Sequence, residues 1–157
     1  MKKDINSIAL SWNDIISDCN RLIDLIEQSA YNIETIVMIQ RGGCIPGTIM
    51  SHKIKCDDVH IIKIRTTETD DIRSSRLSTP VIFIPSIIKN IRNRNVLIID
   101  DVTNTGVTLE YAKKEILKYQ PATCKTAVLV WDGDNNEKCT ADYYARHSPS
   151  WVIFPWE

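Results

Sequence analysis

The 157-residue chain has no run of about 18 apolar residues, the length that a helix needs to cross a bilayer. Its N-terminal stretch, MKKDINSIALSW, has two lysines but no apolar segment long enough for a secretory signal peptide. The five cysteines are odd in number and never form a C-x-x-C pair, which argues against a zinc site or a disulfide framework. We therefore expect a cytoplasmic protein that makes no membrane contact.

Charge and motif content exclude further classes. A net charge of −1 gives no basic field for nucleic acid. No Ser-His-Asp order, H-E-x-x-H motif or internal repeat is visible, and the histidines at 52, 60 and 147 do not cluster with acids or cysteines. What is present, 43% hydrophobic and 25% charged residues, is ordinary for one globular domain spanning 1–157.

The most informative stretch is NVLIIDDVTNTGVTL. The apolar run 96–99 predicts a strand buried on both faces, and helical spacing begins near Val107. A strand, a tight polar loop and a helix start form the geometry in which backbone N–H groups hold a phosphate. Asp100 and Asp101 would repel a phosphate unless they bound hydroxyls or a metal. The pattern therefore indicates a ligand that joins phosphate to vicinal hydroxyls, and the simpler alternative is an acidic strand end with an ordinary turn.

A second buried strand, 35–39, leads directly into Arg41, Gly42 and Gly43. Two glycines let the backbone approach a ligand closely, and an arginine offers a fork for phosphate oxygens. Pro46 is placed for the first turn of the next helix.

The other elements alternate in type along the chain. An amphipathic helix begins after the cap Ser11, and strands are predicted at 59–64, 81–84 and 126–130. The polar stretch 65–80 is either a solvated loop or a mobile flap. This alternation predicts a doubly wound α/β domain with ligands at the carboxyl ends of the strands.

The central stretch closely resembles the signature of the type I phosphoribosyltransferases. The run MIQRGGCIPGTIMSHKI is similar to the pyrophosphate loop of their short xanthine–guanine/hypoxanthine members, and the ending W-x-x-x-P-W-acid to their C-terminal hood. The resemblance implies a mainly parallel five-stranded sheet with helices on both faces. It divides the domain into a core of about 12–130, a flap of about 65–80 and a hood of about 131–157.

The resemblance also implies an activity: Mg²⁺-dependent transfer of 5-phosphoribosyl from phosphoribosyl pyrophosphate (PRPP) to a purine, in nucleotide salvage. The products would be a nucleoside monophosphate and pyrophosphate, and the enzyme a homodimer or homotetramer. Carried over by position, PRPP would be bound by Arg41, Gly42, Gly43, Asp100, Asp101, Thr103, Asn104, Thr105, Gly106 and Thr108. The catalytic residues would be Arg41, Asp101 and Asn104; the metal ligands, Asp100, Asp101 and Glu157; the base-binding residues, Asp132, Trp151 and Val152.

Two positions depart from that pattern. Asn104 stands where 6-oxopurine members carry an aspartate, and it cannot take a proton from the base. Asp132 stands where they carry a lysine that donates to the purine O6, and a carboxylate accepts hydrogen bonds without donating them. Both departures favour a 6-aminopurine such as adenine, and a 6-oxopurine (hypoxanthine, guanine or xanthine) is the alternative. One inserted residue would instead give the lysine's role to Lys138.

Two further hypotheses stay open. A protein of the same fold could be a nucleotide-sensing regulator without catalysis, although the charge balance offers no basic surface for nucleic acid. The fold could also be retained with catalysis lost, because Asn104 departs from the expected aspartate.

Overall fold

The computed structural model describes residues 7–67, 76–84, 90–133 and 139–157. Within them the elements are β1 (Ser7–Ala9), α1 (Trp12–Gln28), β2 (Thr35–Gln40), α2 (Cys44–Ile54), β3 (Val59–Thr67), β4 (Arg76–Phe83), β5 (Asn95–Thr103), α3 (Val107–Leu117), β6 (Thr123–Trp131), β7 (Tyr143–His147) and β8 (Trp151–Ile153). None of these helices is both long and apolar enough to cross a membrane.

Six strands form the central sheet in the order β4-β3-β2-β5-β6-β7, and every pair is parallel except β3 with β4. The α/β fold class is confirmed. The expected count of five strands is one too low for the described residues, because β7 adds to the sheet beside β6. Its sequence YYARH interrupts the apolar pattern with Arg146, whose guanidinium is neutralised by Asp18 of α1 at 2.7 Å.

Alternate side chains of the central strands face two separate cores. Ile36, Met38, Leu97 and Ile99 pack with α1 and α2, whereas Val37, Ile39, Val96 and Ile98 pack with α3. The strands are buried on both faces, which explains their uninterrupted apolar sequences. Helices therefore cover both faces of the sheet, as predicted.

Helix α1 starts as its sequence indicates. The Ser11 hydroxyl accepts from the Asp14 N–H at 3.2 Å, and the Asp14 carboxylate accepts from the Ser11 N–H at 2.8 Å. This capping box satisfies N–H groups that the first turn leaves unpaired.

The predicted flap, 65–80, lies partly outside the described residues. Its described ends belong to strands, because β3 continues to Thr67 and β4 begins at Arg76. The stretch 68–75 remains a prediction as a flap. In the predicted hood, β8 pairs in parallel with β1, a three-residue strand that periodicity does not reveal.

Candidate active site

The loops after β2 and β5 lie side by side, because β2 and β5 are parallel neighbours with Met38 opposite Ile99. The Gln40–Arg41 peptide bond is cis. A Cβ added at Gly42 would overlap the carboxylate of Asp101. Glycine is therefore required here by a close approach between the two predicted ligand loops, and the structure brings the R-G-G and Asp-Asp motifs together.

Asp100 and Asp101 end the apolar run inside β5 instead of following the strand. Burial, and then the neighbouring charge of Asp101, raise the pKa of Asp100 well above its usual range. Burial also raises the pKa of Asp101, to which the negative charge of Glu157 adds. Both carboxylates accept from backbone N–H groups, Asp100 from Asp101 at 3.0 Å and Asp101 from Val102 at 2.8 Å. The pair is a desolvated acidic site suited to hydroxyls or a cation.

A cavity of about 350 Å³ opens beside Asp101, with walls formed by Arg41, Gly42, Ile45, Asp101, Trp156 and Glu157. Side chains of opposite charge, Arg41 on one hand and Asp101 and Glu157 on the other, therefore line the same cavity. The resemblance implies a metal-binding role for Glu157, and the structure puts Glu157 on the same cavity as Asp101. Ile45 and Trp156 are not among the predicted site residues, although Trp156 belongs to the W-x-x-x-P-W-acid ending that resembles the hood.

Aromatic packing holds the C-terminal wall of this cavity. The Trp156 ring stacks on Phe154 at 4.7 Å between centroids and meets Trp12, the first residue of α1, at 5.9 Å. The Glu157 carboxylate accepts from the Phe154 N–H at 3.2 Å. The tail is thus a packed turn, and its acid has a fixed position at the cavity.

The loop between β5 and α3 has the geometry of an anion site. Gly106 adopts φ +79° and precedes α3 with no side chain capping the helix. The first helical bond runs from Glu110 N–H to Gly106 O at 2.9 Å, so the preceding N–H groups of α3 point towards the loop. Asn104 and Thr105 are exposed, Thr108 is half-buried, and Thr103 is buried at the end of β5.

Asn104 and Asp132 lie in direct contact, although 28 positions separate them in the chain. The Asn104 side-chain amide donates to the Asp132 carbonyl oxygen at 3.1 Å, and the Asp132 N–H donates to the Thr103 carbonyl at 3.0 Å. Burial raises the pKa of Asp132. Asn104 and Asp132, the two positions that depart from the family pattern, are therefore neighbours in the folded protein.

The remaining predicted base residues lie on β8. Trp151 is 41% exposed, whereas the Val152 side chain is buried in the α1–α2 core. Neither contributes to the described wall of the 350 Å³ cavity. Lys138, the alternative donor, lies outside the described residues.

No three His, Cys, Asp or Glu side chains within 7–67, 76–84, 90–133 and 139–157 converge to form a complete metal site. This arrangement still fits Mg²⁺, which keeps several waters and uses only one or two protein carboxylates beside substrate phosphates. Asp101 and Glu157, on a common cavity, supply that number of oxygen ligands.

Comparison with known proteins gives consistent results. The phosphoribosyl transferase domain family matches residues 8–157. A hypoxanthine-guanine phosphoribosyltransferase of Streptococcus pyogenes is 25% identical over 98% of this chain and 84% of its own, and a xanthine-guanine phosphoribosyltransferase of Gluconobacter oxydans is 23% identical over 98% and 86%. The crystal structure of a purine phosphoribosyltransferase from Pyrococcus horikoshii superimposes with a TM-score of 0.79 and 26% identity, covering 98% of this chain and 95% of that one. The resemblance inferred from the loops and the tail is confirmed.

Proposed function

Since the chain belongs to the phosphoribosyl transferase family, we propose that it transfers 5-phosphoribosyl from PRPP to a 6-oxopurine and releases pyrophosphate. The observation that carries the proposal is the close approach of Gly42 to Asp101, which joins the arginine–glycine loop and the acidic strand end around one cavity. The Arg41 guanidinium and two carboxylates line that cavity together. A substrate that bears both pyrophosphate and ribose hydroxyls requires both kinds of group.

Each part of PRPP has a place in this arrangement. The pyrophosphate lies against Arg41, Gly42 and Gly43, and the ribose hydroxyls donate to Asp100 and Asp101. The 5-phosphate occupies the loop before α3, where backbone N–H groups and the helix dipole favour negative charge. The phosphate cradle consists of Thr103, Asn104, Thr105, Gly106 and Thr108.

Asp100, Asp101 and Glu157 would hold Mg²⁺ with PRPP. When bound, the metal would neutralise charge on the leaving pyrophosphate. Arg41 contributes the same on the protein side, and pyrophosphate then departs as positive charge develops at the ribose anomeric carbon. The chain otherwise positions the reactants and excludes water.

The choice of a 6-oxopurine is supported by the relatives, whose names specify hypoxanthine, guanine or xanthine. Adenine is the second candidate, because Asp132 in the base site would make a charge-assisted hydrogen bond with a 6-amino group. Facing O6, an ionised Asp132 would leave two acceptors in contact, which is costly where water is excluded.

The test is one assay of pyrophosphate release with PRPP, MgCl₂ and hypoxanthine, guanine, xanthine or adenine in parallel. Asp101→Asn serves as the background control, and the exposed Asp24→Asn as the control for an aspartate change elsewhere. We expect nucleotide from at least one 6-oxopurine at a higher kcat/KM than from adenine. A preference for adenine would replace the base assignment.

Turnover with none of the four bases, combined with a PRPP-dependent rise in Tm, would instead favour a non-catalytic nucleotide-sensing protein. Trp151 as a stacking surface and the Val152 backbone as a contact for the base edge belong to the same proposal. Replacing Trp151 with Leu tests them, and KM for the base should rise while the PRPP-dependent change in Tm stays unaltered.

A further inference from the structure

Phosphoribosyl transfer to a neutral purine requires a proton acceptor, and the residue before Thr105–Gly106 cannot serve. Asn104 carries an amide, which has no useful basicity at neutral pH. In this chain Asn104 instead donates its Nδ2 hydrogen to the Asp132 carbonyl, 3.1 Å away. The acidic residue Asp132 therefore lies beside Asn104, which stands where the family pattern has an aspartate.

The backbone of Asp132 is fixed from several directions. Its N–H donates to the Thr103 carbonyl at 3.0 Å, which ties it to the end of β5. On the other side, the His147 ring stacks on Trp131 at 4.2 Å between centroids, and His147 Nε2 lies 2.9 Å from the Gly133 carbonyl. The residues before and after Asp132 are therefore both held by β7.

The Asp132 carboxyl group is held less completely than its backbone. Its Oδ1 atom is buried and has no hydrogen-bond partner among the described residues. Buried polar atoms in folded proteins are nearly always paired, and a ligand bearing an N–H group would supply a donor to this oxygen.

Resting on the proposed function, we infer that Asp132 accepts the proton that the purine loses during phosphoribosyl transfer, in place of the residue at position 104. Purine N9 forms a bond to ribose C1′ while the bond from C1′ to the pyrophosphate oxygen breaks and its electron pair leaves with pyrophosphate. The proton on N7 of the attacking tautomer passes to the Asp132 carboxylate, which returns it to water after product release.

The surroundings of Asp132 suit this role. Burial raises the pKa of its carboxyl, a direction that makes the carboxylate a stronger proton acceptor. From the β5–α3 loop it meets the uncharged Asn104, whose side-chain hydrogen bond lowers the pKa in part. On β7, the titratable His147 lies beside the next residue, with its Nε2 2.9 Å from the Gly133 carbonyl.

The test compares wild type, Asp132→Asn, Asn104→Asp and the double variant, each with hypoxanthine, guanine and adenine. Asp132→Asn should lower kcat on the order of 10²- to 10⁴-fold, by a similar factor for every base that wild type uses. The PRPP-dependent rise in Tm should stay intact, which separates lost proton transfer from lost substrate binding. Adding Asn104→Asp to Asp132→Asn should restore activity. It should also restore the fall in rate at low pH, which Asp132→Asn alone abolishes.

Several outcomes would overturn the inference. Unchanged kcat in Asp132→Asn would show that Asp132 does not accept the proton, and a loss confined to adenine would place the carboxylate at the purine 6-position instead of N7. If Asp132→Asn does not fold, Asp132→Ser replaces it with the same expected loss of kcat and the same unaltered PRPP-dependent rise in Tm. A gain of about a hundredfold or more in Asn104→Asp would show that wild type lacks an acceptor. A wild type that turns over none of the bases would remove the proposed function, and this inference with it.

Discussion

Acidic side chains lie at both ends of the central sheet, and their surroundings differ. At the amino end, Asp58 accepts from the Thr35 hydroxyl at 2.5 Å and from the Arg94 guanidinium at 3.3 Å. There, too, Asp142 accepts from the N–H and the hydroxyl of Thr126 and from the Lys113 ammonium. These carboxylates are supplied with donors by the protein itself.

At the carboxyl end burial dominates the surroundings of the same residue type. It raises the pKa values of Asp100, Asp101 and Asp132, although Asp100 and Asp101 accept from backbone N–H groups and Asp132 interacts with the Asn104 side chain. Such sites cost stability unless something else binds them. Acids at the amino end are thus paired within the fold, whereas we propose that acids at the carboxyl end serve a ligand.

Removing the acidic pair at the carboxyl end tests this comparison most strongly. Asp100→Asn with Asp101→Asn should lower the rate of transfer on the order of 10³-fold. The ribose hydroxyls would lose their hydrogen-bond acceptors, and Mg²⁺ would lose carboxylate ligands. The double variant should abolish the PRPP-dependent stabilisation, about 2.7 kcal/mol at about 100 times Kd. The free protein should be no less stable, since burial already disfavours both charges.

Differential scanning fluorimetry with and without PRPP and MgCl₂ measures both effects, with Asp24→Asn as the control. A double variant that kept the full shift would show that the acidic strand end serves another purpose. A much lower Tm without ligand would show that the pair stabilises the fold, like the acids at the amino end.

A smaller effect is expected from crowding the same carboxylate. Gly42→Ala adds a Cβ that overlaps Asp101, so Asp101 must move away from its ligands. Moving a functional group by about 1 Å lowers the rate on the order of 10²-fold. Gly47→Ala is the matched control, because its Cβ would meet the flexible Met38 side chain, with Cγ at 2.6 Å, and should reduce stability only.

Steady-state kcat/KM for PRPP, beside Tm, separates the two glycines. Equal losses of activity in Gly42→Ala and Gly47→Ala would remove the close approach of the two loops from the argument.

Glu157→Gln should have a weaker effect, a several-fold rise in the Mg²⁺ concentration needed for half-maximal rate, since other carboxylates remain. The same change removes a negative charge that raises the pKa of Asp101. Titration of the rate with MgCl₂ at saturating PRPP measures it, with Glu110→Gln, exposed on α3, as the control. An unaltered Mg²⁺ requirement would leave Glu157 a purely structural end of the tail.

The sequence predicts these regions unequally, for physical reasons. Continuous apolar runs such as 96–99 and 35–39 predict β5 and β2, because strands buried on both faces need apolar residues at every position. β7 escapes prediction, because Arg146 becomes acceptable only through its pairing with Asp18 on α1. Such long-range compensation leaves no local pattern.

The same contrast holds within the site. The loops around Gly42 and Gly106 are recognisable because each is a local motif between a strand and a helix. The contact between Asn104 and Asp132 joins two loops distant in the chain, and Trp156 reaches the cavity by stacking on Phe154. Sequence could show that positions 104 and 132 are unusual, but only the fold shows that they are neighbours.

The last prediction concerns an acid at the amino end, where transfer should be unaffected. Burial alone would raise the pKa of Asp142, but hydrogen bonds from Thr126 and Lys113 outweigh it, and the net pKa is lowered. A carboxyl whose pKa is lower in the folded than in the unfolded state stabilises the protein above the unfolded value, about 3.9. That contribution disappears as the pH falls through the folded value. Asp142→Asn should therefore reduce the free energy of unfolding at pH 7 by about 1–2 kcal/mol, and the difference from wild type should shrink below about pH 4. Urea unfolding at pH 7, 5 and 3 measures this, and kcat/KM should match wild type. A constant difference at all three pH values, or a loss of transfer without a loss of stability, would contradict the assignment of a purely structural role to the acids at this end.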